Sequence, residues 1–590
     1  MRRVFIFLIL IVVLKMGSGL ADTHYVSTTG SDEYPYASWA TAADSIQKGI
    51  NAASYGDTVR VAAGGYREYS IAMVPGITLI GAGIDSCLID ASHVGQSIVV
   101  NVIDGADSSS VEGFQIIGNG PYNNIEGIVD HYGIPMKFIK GNKVTKCWAG
   151  IFIRKCPEII NNLIDSCDGG ISASTEATSL IQNNTITRCS EGIYGAFSPH
   201  YPRIVKNVIH TVYRAISITL NDSLLICNNL IYDVTWLNSI GIGDPTFTKK
   251  QVIKNNSISG NKSYPVLSDF ADSDIRNNIL YGGNAGIYGS GSGVILTVGY
   301  NDLWDNTRNY QAAGGATIDT SLGGNIYLDP MFVGGDDYHL QYASPCIDAG
   351  DPNIKDPDSS RSDIGCYGGT WGETYPYQDY PPKAPDSLRA TSLNTVIVLS
   401  WKPNTESDLS HYLVYRDTLT GFIPDTFKIV GEIPKDSSVF RDYDFVLGRT
   451  YYYRLSAWDL TGHESDYSNE LAVLATDVGD STEEGPPMPR MYQLRQNYPN
   501  PFNPSTTIVY YLPDVGYQPA EVEIVIYNLL AQRVRTLVKE RKYPGEHRVT
   551  WDGKDDEGND LSSGIYFYKL TFSGVDLYPL VKPKKMVLVK

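Results

Sequence analysis

Charge is scarce in this chain, and one sign is in excess. Asp, Glu, Lys and Arg make up 19% of the 590 residues, and 65 acidic against 47 basic residues leave a formal charge of −18. A nucleic-acid partner demands clustered Lys and Arg, so that class is excluded. Long apolar runs are lacking as well. After residues 4–14 no segment approaches the ~18 apolar residues that a membrane-spanning helix requires. What the chain has in plenty is Gly (56) and Tyr (41), a composition that fits an exported all-β protein better than a helical cytosolic enzyme. At ~150 residues per domain the length predicts about four domains.

The first segment sets the compartment. Met1-Arg2-Arg3 is a short basic start, Val4 to Leu14 is apolar throughout, and Gly19-Leu20-Ala21 offers small residues for cleavage before Asp22. Eleven apolar residues are too few for ~30 Å of hydrocarbon, so residues 1–21 are expected to be a signal peptide. The protein is therefore expected to be secreted or held at the outer cell surface, with no membrane span in the mature chain.

A repeat then dominates. Asn recurs at 142, 162, 184, 207, 229, 256, 278 and 301. Three residues before each stand Ile139, Ile159, Ile181, Ile204, Ile226, Ile253, Ile275 and Val298. Two residues after each stand Val144, Ile164, Ile186, Ile209, Ile231, Ile258, Leu280 and Leu303. A Gly-Ile or similar pair lies upstream of most of them, for example at Gly127-Ile128, Gly150-Ile151, Gly170-Ile171, Gly192-Ile193 and Gly241-Ile242. Segments of four to six residues rich in Ile, Val and Thr are too short for helical repeats. The expected fold is all-β: a solenoid of short parallel strands in which each coil buries the Ile column of the next. Asn162, Asn184, Asn207, Asn229, Asn256 and Asn278 would stack at one turn as a ladder of hydrogen-bonded amides.

The Asn turns with their Ile columns resemble the right-handed parallel β-helix proteins of the pectate-lyase-like group. The stretch from Tyr25 to Glu68 looks like their amino-terminal cap, with a predicted amphipathic helix over Ala40 to Ala53 that carries Ile46 and Ile50 on one face. Residues from Asp329 to Gly369 resemble their closing segment, so residues 22–372 are assigned to the β-helix with its cap. Of the eight Cys, Cys147, Cys167 and Cys189 hold a position that later coils fill with Val212 and Val234. They are expected to pack as reduced, apolar groups. Cys346 and Cys366 lie in the loop-rich closing segment and are expected to form a disulfide.

After a linker at 373–383, residues 384–476 resemble a fibronectin type III domain, with Trp401 and Tyr451 to Tyr453 where such a sandwich keeps its core Trp and tyrosine corner. A second linker, 477–490, is acidic. The remainder, 491–590, resembles the type IX secretion sorting domain: Asn497, Pro499, Asn500, Pro501, Phe502, Asn503 and Pro504 match its opening motif, and Trp551-Asp552-Gly553 and Gly564-Ile565-Tyr566 its later ones. The alternative is a passive immunoglobulin-like module of the flagellar hook-capping kind, which shares the later elements. The sorting resemblance implies secretion machinery as a partner.

Alternation from the Gly-Ile pairs turns Phe152, Ser172, Tyr194, Ser217 and Tyr288 outward on one face, with His131, Arg154, Ser174 and Thr219 beside them. The following connection supplies Glu176, His200, Tyr201, Arg203 and Asp222. His131, Phe152, Arg154, Tyr194 and His200 are the candidate site, a shallow groove for a polysaccharide partner, expected to be an acidic one because Arg154 could pair with a uronate. The resemblance implies calcium and stacked acids in the lyases, and hydrolases need paired carboxylates. No column shows Asp or Glu on adjacent coils, so binding is expected rather than cleavage. A polysaccharide lyase, epimerase or hydrolase is the alternative, and an adhesin or envelope structural protein the second alternative. No cofactor is expected. Asp348, Asp351, Asp356, Asp358 and Asp363 could bind calcium but fit no loop motif and are expected to form polar turns.

Overall fold

A computed structural model describes the chain except for residues 1–20, 96, 103–105, 174–179, 198–201, 221–222, 236–237, 244–249, 261–263, 270, 394–395, 477–492, 513–519, 544 and 574–582. The signal-peptide segment and the second linker thus lie outside the described residues. From Thr23 to Asp319 the chain winds into a parallel β-helix of three sheets, with 13, 10 and 11 strands, here called sheets 1, 2 and 3. Sheet 1 carries the first Ile column in unbroken register, Ile139 on Ile159, Ile181, Ile204, Ile226, Ile253, Ile275 and Val298. Sheet 2 carries Val144 through Leu280 in the same way. Sheet 3 stacks Ile128, Ile151, Ile171, Ile193 and Ile216, and then Ile240 rather than Ile242. The Gly-Ile pair at 241–242 thus misplaces that coil by two residues. Ile218 and Ile242 form a further buried pair, so either register satisfies the core.

These columns meet in one continuous apolar core from Val26 to Leu303. Each fully buried Ile contributes on the order of 2 kcal/mol by area. The turn between sheets 1 and 2 is closed by the Asn ladder. The Asn162 side-chain amide donates to Asn184 Oδ1 at 3.0 Å and to the Ile139 carbonyl at 3.1 Å, while the Asn162 backbone N–H donates to the same Asn184 oxygen at 2.9 Å. The pattern runs from Asn142 to Asn301 and gains a ninth rung, Asn325, which accepts from Asn301 at 3.2 Å. A buried amide is costly only when unpaired, and here every rung from Asn142 to Asn301 is paired on both sides.

The residue before each rung matters too. Asn161, Asn183, Asn228, Asn255 and Asn277 all have φ between 51° and 58°, the left-handed region that Asn tolerates. Three of them hold the closing segment down. Asn228 donates to the carbonyls of Cys366 and Gly368, Asn255 to Asp363, and Asn277 accepts from the Asp351 N–H at 2.7 Å.

The cap helix is Ile46–Ala52, shorter than predicted. Ala43 is taken by a parallel bridge to Val26, which holds the preceding residues extended. Ser45 caps the helix, and Glu68 accepts from the Ile46 and Gln47 N–H groups. Ile46 and Ile50 are fully buried, as the amphipathic pattern requires.

All eight cysteines are free and buried, which corrects the expected Cys346–Cys366 disulfide. The two thiols have different partners: Cys346 packs with Ile279, Leu340 and Ile364 and donates to Asp302 Oδ2 at 3.4 Å, while the Cys366 N–H donates to Ser257. The Cys147, Cys167 and Cys189 column is buried and unbridged. The carboxylates of the closing segment serve turns: Asp351 takes Asn353 and Arg276, Asp358 takes Ser360, and Asp363 takes the Asp348 N–H and the Tyr377 hydroxyl.

Asp302 is a fully buried carboxyl whose oxygens meet, among the described residues, the Leu328 N–H and the Cys346 thiol. Burial pushes its pKa up from 3.8 to about 7. A raised acid favours the folded state at low pH and loses that contribution as pH rises from about 4 through 7. Asp302→Asn keeps the shape and removes the titration. Thermal melts of the variant should match the parent at pH 4.5 and exceed it by several degrees at pH 8, from a difference on the order of 3–4 kcal/mol. Equal melts at both pH values would show that this carboxyl does not titrate in the core.

Beyond the β-helix, strands 386–393, 396–402 and 439–442 form one antiparallel sheet, and 429–434, 409–417, 450–459 and 471–474 a second. Trp401 packs edge-on against Tyr412 at 5.2 Å. In the last hundred residues two further sheets of three and four strands enclose Trp551, Tyr568 and Phe502. There the opening motif grips the final strand: Asn500 Oδ1 accepts from the Val587 N–H, and the Phe502 N–H donates to the Val587 carbonyl.

Candidate binding face

Phe152, Ser172, Tyr194 and Ser217 are consecutive register partners on sheet 3, so the outward column predicted from alternation exists. Phe152 and Tyr194 are half-buried, two strands apart, with Ser172 buried between them. Two strand spacings are roughly 10 Å. His131 joins them: its ring lies 5.2 Å from that of Phe152, and its Nε2 stands 3.0 Å from Glu126 Oε2. The turn that carries His131 is fixed by Asp130 Oδ1, which accepts from the Tyr132, Gly133 and Ile134 N–H groups. Arg154 is exposed just past the strand end, beside Gly133 of that turn. Thr219 is exposed farther along. His200, with Ser174, Glu176, Tyr201 and Asp222, lies outside the described residues.

A second column runs beside the first: Glu126, Ala149, Gly169, Glu191 and Arg214. Its small residues leave a hollow that Tyr194 fills. A Cβ on Gly169 would fall 2.4 Å from the Tyr194 hydroxyl, so any larger residue there displaces the ring from its present seat. Burial raises the Tyr194 pKa, a hydrogen bond with Ser172 opposes the rise, and Asp168, Glu191 and Glu126 add to it. Glu191 is also raised, first by burial, against the pull of Arg214 at 3.0 Å.

Sequence reasoning missed this acidic company. Among the described residues, no register column carries acids on adjacent coils. Yet Asp168, one position before Gly169, adds its charge to the burial that raises the pKa of Glu191 on the next coil. The signal was present in the residues just before each Gly pair, which alternation from the Ile alone does not weigh. Three carboxylates against Arg154 and an already paired Arg214 leave the face without the basic excess that an acidic ligand needs.

Residues 50–245 match the family model described as periplasmic copper-binding protein (NosD), and residues 515–574 match the FlgD Ig-like domain. No curated protein matches the chain. Among solved structures, the spore cortex lytic enzyme SleM of Clostridium perfringens is 24% identical over 16% of this chain and 28% of its own, with a TM-score of 0.14. An Fn3-like protein of Clostridium thermocellum is 24% identical over 16% of this chain and 92% of its own, TM-score 0.14. Dimeric latent PorU of Porphyromonas gingivalis is 15% identical over 38% of this chain and 22% of its own, TM-score 0.18.

Proposed function

We propose that this is an exported modular protein whose β-helix holds a polysaccharide, by binding rather than cleavage. The carrying observation is the pair of rings, Phe152 and Tyr194, on one outward column two coils apart, with His131 packed on the first. Rings spaced along a rigid sheet suit the flat faces of successive sugars, and the exposed Arg154 and the partly exposed Glu126 carboxylate stand beside them to hydrogen-bond sugar hydroxyls. The charge balance favours a hydroxyl-rich, neutral chain over a uronate polymer. Export is supported by the basic-apolar-small pattern of residues 1–21 and by the periplasmic family matched at 50–245. The tail at 491–590 is proposed to be read by the type IX machinery, since the intact opening motif at 497–504 goes beyond the elements shared with the FlgD-type module.

The NosD description carries copper, and the matched span has soft donors in Cys147, Cys167 and Cys189. They do not fit a copper centre. Each thiol donates to a backbone carbonyl, of Thr145, Asp165 and Thr187 respectively, and the hydrogen bond to the neighbouring thiol, with burial adding to it, holds Cys167 and Cys189 well above the ordinary thiol range, disfavouring the thiolate that binds metal. Among the described residues, the one trio of His, Cys, Asp or Glu ligand atoms within 4.8 Å of one another is Asp379, Asp459 and His463, outside that span.

The test is affinity electrophoresis on a polysaccharide panel, with ultraviolet detection of unsaturated ends. Retention without product supports binding, and product formation would replace it with a lyase. The triple change Phe152→Ala, Arg154→Ala, Tyr194→Ala should weaken retention at least tenfold while leaving the melting profile close to that of the parent. Undiminished retention would mean the face is only surface.

A further inference from the structure

Three ligand atoms converge where the first linker meets the fibronectin-like sheets. Asp379 comes from the linker at 373–383, and Asp459 and His463 from the turn that ends strand 450–459. Their ligand atoms all lie within 4.8 Å of one another. His463 Nδ1 stands 3.1 Å from Asp459 Oδ2, 3.1 Å from Thr461 Oγ1 and 3.6 Å from Asp379 Oδ2. Three oxygens thus crowd one ring nitrogen, which carries at most one proton. The turn itself is firmly held. Asp459 Oδ1 accepts from the Thr461, Gly462 and His463 N–H groups and from the Thr461 hydroxyl, which leaves Oδ2 to face the ring.

A fourth group adjoins them. Asp408 precedes strand 409–417, whose first residue, Leu409, is in register with Asp459, and the Asp408 carbonyl accepts from the Leu460 N–H. Asp408 is only 8% exposed. Among the described residues no other residue donates to its carboxylate and no cation pairs with it. The charges that bear on it are Asp459, Asp379 and Glu406, all of its own sign. Glu406 is already occupied by the N–H groups of Lys383 and Thr405, and the amino group of Lys383, the linker's one basic residue, pairs with Asp329 at 3.8 Å. Three carboxylates therefore face one imidazole, and one of the three is buried with nothing to hold. Such a group is costly unless a cation compensates it.

We propose that Asp379, Asp459 and His463, with Asp408 as the fourth ligand, bind a divalent cation of the Zn²⁺ class. Ligand atoms ~2.1 Å from such an ion stand roughly 3.0–3.6 Å apart around it, and the 3.1 and 3.6 Å separations at His463 fall in that range. An imidazole nitrogen in the set selects Zn²⁺ over Ca²⁺, which takes six to eight oxygens. The Asp459 turn supplies the outer hydrogen bonds that orient a ligand. An ion held from both sides fastens the linker to the turn of strand 450–459. This site stands apart from the polysaccharide reading.

The experiment uses the full mature chain, stripped with a chelator and titrated with Zn²⁺ in a calorimeter, with Co²⁺ as a visible-absorption probe and Ca²⁺ as the comparison. The parent should take up one equivalent of Zn²⁺, melt at a higher temperature with it, and be cut more slowly by trypsin at the exposed Lys383. Asp379→Asn and His463→Gln should each weaken Zn²⁺ binding at least tenfold and abolish the gain in melting temperature. The Asp379 carboxylate accepts no hydrogen bond among the described residues, so the metal-free melt of Asp379→Asn should match the parent. No Zn²⁺ uptake by the parent, or uptake undiminished in either variant, overturns the site and leaves His463 sharing one proton among its three oxygens. Uptake of Ca²⁺ with Zn²⁺ refused overturns the class of ion.

Discussion

Ile204→Asp is expected to abolish the folded β-helix. Ile204 is fully buried and sits in register between Ile181 and Ile226, with its carbonyl accepting the side-chain amide of Asn229. A carboxylate there has apolar neighbours above and below and no cation within the core, so it is buried either charged or after costly protonation. The penalty of several kcal/mol is comparable to the whole stability of a domain. In a solenoid each coil supports only its neighbours, so one failed coil severs the stack rather than denting it. Circular dichroism and limited proteolysis of the purified variant should show loss of the cooperative melt. Ile204→Val, which removes one methylene, should cost only about 1 kcal/mol and serves as the control. A normal melt for the aspartate variant would mean that the column does not carry the fold.

Removing residues 492–590 should leave the β-helix folded and abolish display at the cell surface, the protein accumulating in the periplasm instead. The tail has a core of its own, built from Trp551, Tyr568, Tyr510 and the Ile508 and Ile524 pair, so its loss exposes nothing in the solenoid core. Its opening motif and final strand are locked together through Asn500, Phe502 and Val587, so the truncation removes both as one unit. Cell fractionation and surface proteolysis of the truncated and intact chains decide the matter. Undisturbed display would leave the tail a passive immunoglobulin-like module, in keeping with the FlgD match at 515–574.

The solenoid was legible because its defining residues recur at fixed offsets, and a column needs no distant information. Asn325 escaped because Tyr327 stands where the other rungs are followed by an aliphatic residue. The Asn-Asn doublets at 161–162, 183–184, 228–229, 255–256 and 277–278 were visible, but Asn228, Asn255 and Asn277 act through a segment some hundred residues away. The Cys346–Cys366 pairing failed for the same reason: shared loop character says nothing about which side of the coil each thiol meets. On the binding face, alternation placed Phe152 and Tyr194 correctly. It could not show that Tyr194 leans over Gly169 towards Glu126, Asp168 and Glu191, because that depends on a missing side chain.

The amide ladder also fixes how this protein can change in size. Every rung gives its proton forward to the next oxygen, from Asn142 to Asn325, so a partial coil would break both the chain of amides and the Ile columns beside it. Insertion or loss within the stack is tolerated only as a whole circuit that returns the next Asn to its rung, whatever its contour, here 20 to 27 residues. Each circuit gained adds ~4.8 Å of height and one more outward position on every face. The length of each outward face is thereby an integer property of the gene: duplication or deletion of one circuit is a quantum step in that length, and nothing between two steps can be built.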